Sequence, residues 1–87
     1  MELSGKIISG HFDQPNNEFS LQRVKHFYTE STLKKSQIDS LYEYLDKHKH
    51  QDDGQIITLY DQLPFHLSQE EVMELIGDLN EIKSLYH

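Results

Sequence analysis

The chain has 87 residues, with 15 acidic side chains against 8 lysines and arginines and no cysteine. Such a length predicts one domain, residues 1–87, near the lower limit of what folds unaided. Without cysteine, neither a disulfide framework nor a thiolate zinc site can hold it, so packing must. The net charge of −7 argues against direct nucleic-acid binding, because affinity for phosphate rests on lysine and arginine contacts.

The first thirty residues contain two apolar-rich runs, "GKIISGHFD" and "EFSLQRVKHFY", separated by the turn-forming tetrapeptide "QPNN". They predict a β-hairpin. A competing reading makes "SLQRVKHFYTE" a helix, since Leu21, Val24, Phe27 and Tyr28 also fit one helical face, and residues 20–30 stay open between the two. A first helix is expected from about Thr32 or Ser36 to about Lys49, where Ile38, Leu41, Tyr42 and Leu45 repeat at helical spacing.

That helix ends in "KHKHQDDG", which poses a choice between a metal site and a helix end. Lysine and histidine in a last turn interact favourably with the negative end of the helix, and "DDG" is a strong turn signal. A metal would need His48 and His50 to converge, although residues two apart on a helix point about 200° apart. The helix-end reading accounts for every residue, so no metal and no cofactor is expected.

Beyond the turn, "GQIITLY" reads as a strand placed centrally in a sheet, closed off downstream by Pro64. The last element is the clearest. Val72, Leu75, Ile76, Leu79, Ile82 and Tyr86 form one apolar stripe. Ser68 and Glu71 match a capping box, and Leu67 can staple onto Val72. The expected fold class is therefore α+β, a small mostly antiparallel sheet packed against two amphipathic helices, in the order β-β-α-β-α.

Charge is distributed unevenly along this order. Residues 1–50 hold seven acids and seven bases, whereas residues 51–87 hold eight acids against Lys83 alone. On the last helix, Glu70, Glu74, Asp78 and Glu81 follow one another at spacings of four, four and three, opposite the apolar stripe. Like charges so placed repel by a few tenths of a kcal/mol per pair, and the last two also oppose the helix dipole. A basic partner would relieve that cost, although Lys34, Lys35 or Lys47 could answer part of it within the fold.

No glycine-rich phosphate loop, nucleophile elbow or His-Glu-x-x-His motif occurs, so a catalytic site is not expected. The reading that follows is a non-enzymatic, acidic protein-interaction module of the inhibitor, antitoxin or adaptor type. It would present Glu70, Glu74, Asp78 and Glu81, with tyrosines such as Tyr42, Tyr44 and Tyr60 as further edges, to a basic protein partner. The alternative is a small nucleic-acid-binding module using Arg23, Lys25 and Phe27 on the hairpin. The N-terminus has an acid at Glu2 and only a pair of isoleucines where a signal peptide needs a long apolar stretch, and no run is long enough to span a membrane. A cytoplasmic location is expected.

Overall fold

A computed structural model describes residues 1–51, 53–58 and 64–87. Four strands come first: β1 (Glu2–Ser4), β2 (Ile8–Asp13), β3 (Glu18–Val24) and β4 (Phe27–Leu33). Each pairs antiparallel with the next, in sheet order β1-β2-β3-β4. Helix α1 (Lys35–His48) follows, then β5 (Gln55–Thr58) and β6 (Pro64–Leu67), which pair with each other in a second, two-stranded sheet, and finally α2 (Gln69–Lys83). The α+β class holds, with a richer strand order than the expected one: β-β-β-β-α-β-β-α.

The expected hairpin is the β2–β3 pair, and its turn is the "QPNN" tetrapeptide, where Asn17 takes a positive φ of 55°. The side chain and backbone N–H of Asn16 donate to the Asp13 carboxylate and hold it below the usual carboxylate range. Residues 20–30 resolve as strand, turn and strand, so the helical alternative for "SLQRVKHFYTE" is overturned. The alternation decides it: Phe19, Leu21 and Val24 are buried, and the strand reverses at Lys25 and His26, with Lys25 at φ 56°.

Three further expectations are corrected. Pro64 does not close a strand but opens β6, where its missing N–H is tolerated at a strand's first residue. β5 is not central, because among the described residues it pairs with β6 and not with the four-stranded sheet; Leu59 and Tyr60 of the same run lie outside the described residues. The first helix starts at neither Thr32 nor Ser36. Thr32 belongs to β4, and Lys34 is the N-cap, its N–H donating to the Gln37 side chain at 2.8 Å.

Both sheets and both helices feed one core. Ile8, Phe12, Phe19, Leu21, Val24 and Leu33 come from the larger sheet, Ile57, Phe65 and Leu67 from the smaller. Ile38 and Leu45 come from α1, and Val72, Leu75, Leu79 and Ile82 from α2. The α2 stripe is buried as its spacing requires, apart from Ile76, which is half-buried at the margin. Each large side chain buried here contributes about 1.5–3 kcal/mol. Tyr86, just past α2, locks the C-terminus onto the sheet by donating its hydroxyl to the Leu33 carbonyl at 2.7 Å and meeting the edge of Phe12 at 5.0 Å between ring centroids.

Candidate functional site

The acidic face of α2 depends on how that helix starts and on what it uses for the fold. Ser68 Oγ accepts from the Glu71 N–H at 3.1 Å, and Glu71 accepts from the Ser68 N–H at 2.9 Å, which completes the capping box. The Ser68 amide and the ammonium of Lys25, 3.1 Å away, hold the Glu71 carboxyl below its usual range. Glu71 is thus spent on the cap and on tying the β3–β4 turn to α2.

Asp78 is spent too, and this corrects its expected place on an open acidic face. It is 5% exposed, and its carboxylate accepts three backbone N–H groups from the β1–β2 turn: Lys6 at 3.0 Å, Ile7 at 2.7 Å and Ile8 at 3.1 Å. The physical reason is that the turn between two strands has amides with no ladder partner, and a carboxylate satisfies several at once. Gly5 makes the approach feasible, since a β-carbon there would sit 2.5 Å from Asp78 Cγ. The dipole cost of an acid late in the helix is offset by these three donors.

The remaining three predicted acids stay outside. Glu70 and Glu81 are exposed and Glu74 is half-buried. Together with Ser4, Gly5, Lys6, Met73 and Gly77 they line a groove of about 520 Å³ between the β1–β2 turn and the outer side of α2, with Asp78 in its wall. The cation that answers this face is Lys6, which reaches Glu74 at 3.9 Å and is itself well exposed, rather than Lys34, Lys35 or Lys47; Lys35 pairs instead with Asp39. Lys83, the lone cation of the acidic segment, lies 4.0 Å over the Tyr42 ring and 3.9 Å from Asp39, between the helices.

Two groove residues were not expected at the site from the sequence, Met73 and Gly77. Met73 is 49% exposed and lines the groove at the edge of the acidic face, and among the described residues nothing lies within 4 Å of where a β-carbon on Gly77 would stand. Glycine inside a helix costs about 1 kcal/mol relative to alanine. No internal packing at Gly77 offsets that cost. The signal was present in the sequence as a glycine in the middle of an otherwise strong helix.

The hairpin cluster is occupied with internal bonds. Arg23 donates to the carbonyls of Lys25 and Gly5 and to Ser9 Oγ, Lys25 reaches Glu71 and the His66 carbonyl, and Phe27 packs on Phe65 at 5.5 Å. Arg23, Lys25 and Phe27 thus each have internal contacts, while Phe27 stays 56% exposed. In "KHKHQDDG", Lys47 and His48 occupy the last turn of α1, and His48 lies against the Tyr44 ring and bonds to Gln51. His50 is exposed, and Asp52 lies outside the described residues. Among the described residues no three potential metal ligands converge. Of the tyrosines proposed as contact edges, Tyr44 is exposed, Tyr42 is half-buried beneath Lys83, and Tyr60 lies outside the described residues.

No protein-family model, curated protein or solved structure matches this chain. Among the described residues, no helix is long and apolar enough to cross a membrane.

Proposed function

We propose that the chain is a non-enzymatic interaction module that holds a basic segment of a protein partner in the groove along α2. One observation carries this reading: Glu70, Glu74 and Glu81 line one groove with an exposed methionine and an open glycine, with Lys6, itself exposed, in partial answer. An apolar contact ringed by charge is the usual make-up of a protein-recognition patch. Lysine or arginine on the partner would meet the carboxylates, while an apolar side chain would fill the space over Gly77 beside Met73. Occupation of a basic surface by this face is the chemistry of an inhibitor, antitoxin or adaptor.

The test uses a synthetic lysine-rich helical peptide bearing one leucine, titrated into the isotopically labelled protein. Amide shifts should cluster on residues 70–81 and at Lys6, and affinity should fall between 50 and 500 mM salt as the screening length shrinks from roughly 14 to 4 Å. The protein carrying Glu70→Lys, Glu74→Lys and Glu81→Lys should keep its melt and lose the peptide. Undiminished binding by the folded triple variant would overturn the proposal. The nucleic-acid alternative finds less support, because Lys25 is tied to Glu71.

A further inference from the structure

The larger cavity lies elsewhere, on the face of the four-stranded sheet turned away from the core. It measures about 780 Å³ and is lined by Ser4, Ser9, Gln22, Arg23, Tyr28, Thr29 and Glu30. Register aligns much of this lining: Ser4 pairs with Ser9, Ser9 with Arg23, and Arg23 with Tyr28, one residue from each strand in a row. Both pairing irregularities of the sheet fall beside that row. On the β2 side the register steps from Ser9↔Arg23 to Gly10↔Leu21, which leaves Gln22 as an extra residue. On the β4 side it steps from Arg23↔Tyr28 to Leu21↔Ser31, so Thr29 and Glu30 together face Gln22. The bulge turns two consecutive side chains, Gln22 and Arg23, to the same outer face, and re-aiming a side chain is what bulges near binding sites do.

Arg23 is the chemical centre. It is the one arginine of the chain, half-buried, and three of its five N–H groups are committed to two carbonyls and a hydroxyl. In a chain with nearly two acids per base, it is the half-buried cation that no carboxylate answers among the described residues: Lys25, Lys49 and Lys83, the other half-buried cations, each have an acidic partner. The guanidinium is thus held in a fixed orientation with positive charge and donors still unmatched. Glu30 on the same lining supplies the opposite charge, two residues beyond Tyr28 and so about 7 Å along the strand. The Tyr28 ring, 87% exposed, stands open beside them.

We propose that this pocket binds a small zwitterion of the α-amino-acid type, with its carboxylate on Arg23, its ammonium on Glu30 and an apolar side chain against Tyr28. The hydroxyls of Ser4 and Ser9 complete the carboxylate's hydrogen bonds. Glu30 sets the charge selection, because it repels a doubly charged phosphate and attracts an amine. This pocket is distinct from the α2 groove, and the two meet only at Ser4.

The test is amide-shift mapping on the labelled protein with L-phenylalanine, and with acetate and inorganic phosphate as separate titrants. L-Phenylalanine at millimolar concentration should move Ser9, Gln22, Arg23, Tyr28 and Glu30. Acetate, lacking the ammonium, should act more weakly. Arg23 also braces two turns, so its replacement risks the fold; the exposed Glu30→Gln and Tyr28→Ala are used instead. Glu30→Gln should weaken binding about tenfold, the loss expected for one charge-assisted hydrogen bond. Shifts confined to the α2 groove, no shifts at all, an unchanged affinity in Glu30→Gln, or a phosphate response equal to that of phenylalanine would each overturn the assignment and leave Arg23 as an internal brace.

Discussion

Replacing Asp78 by alanine tests whether the late acids of α2 serve the fold or the surface. Its carboxylate accepts from the amides of Lys6, Ile7 and Ile8, and the last two belong to residues 4% and 1% exposed. The Lys6 amide is only part-buried and can turn to water. The other two would be left buried without an acceptor, at about 1–3 kcal/mol each. Relief of the carboxylate's unfavourable place near the helix C-terminus returns only a few tenths of a kcal/mol. The net expectation is a loss of about 2–5 kcal/mol, a large part of what a domain of this size holds. In a thermal scan that corresponds to a fall of more than about 10 °C. Asp78→Asn keeps one oxygen acceptor and should fall between wild type and alanine, whereas the exposed Glu81→Gln should stay within about 0.5 kcal/mol. Measurement is by urea denaturation followed by circular dichroism. A change below about 0.5 kcal/mol for Asp78→Ala would refute the reasoning and return Asp78 to the solvent-facing group with Glu74 and Glu81.

Tyr86 predicts an alkaline limit to stability. Burial, with Asp39 and Glu18 nearby, pushes its hydroxyl from 10.0 up to about 12. The protonated form is favoured in the fold, so its contribution is complete below pH 10 and is lost as pH rises toward 12. About 3 kcal/mol should vanish across that window, and Tyr86→Phe should flatten this part of the pH–stability curve. Leu75→Ala or Leu79→Ala should cost about 2–5 kcal/mol in the same denaturation assay, because both side chains are fully buried. Gly77→Ala should raise stability by about 1 kcal/mol and weaken the lysine-rich peptide; a stabilised variant that binds the peptide as before would remove Gly77 from the groove's function.

The parts of this fold that were legible in the sequence are those whose signals are local. The capping box at Ser68 and Glu71, the apolar stripe of α2 and the "QPNN" turn each lie within a few residues of what they specify. β4 was illegible for a corresponding reason. Its turn, Lys25 and His26, contains none of the usual turn residues, and Lys25 takes a positive φ without glycine or asparagine to announce it. β6 was hidden by Pro64 and by its shortness, although the alternation of buried Phe65 and Leu67 around exposed His66 is ordinary strand patterning. β5 read as central because its apolar residues are continuous, but in this fold Ile57 is buried and Ile56 faces outward, the pattern of a strand covered on one face.

Asp78 shows where reading from spacing alone fails and what would repair it. Four acids at i,i+4 and i,i+3 look equivalent on paper, yet Asp78 lies three residues after Leu75 and four before Ile82, at the border of the apolar stripe. Glu70, Glu74 and Glu81 stand further round the helix. An acid at that border points toward whatever packs beside the helix, here a strand turn whose three amides need an acceptor. Once Glu71 is assigned to the cap and Asp78 to the turn, Glu74 keeps one long ion pair to Lys6, and Glu70 and Glu81 are left without identified structural work. The outward three repel one another locally, and they share their groove with Gly77, which weakens the helix and packs against nothing. Both are costs to folding, and both fall on one side of one helix. A surface kept only for solubility could place its acids apart and carry alanine at position 77. The coincidence of charge, exposed Met73 and open backbone is what supports the proposal that a basic partner approaches that side closely.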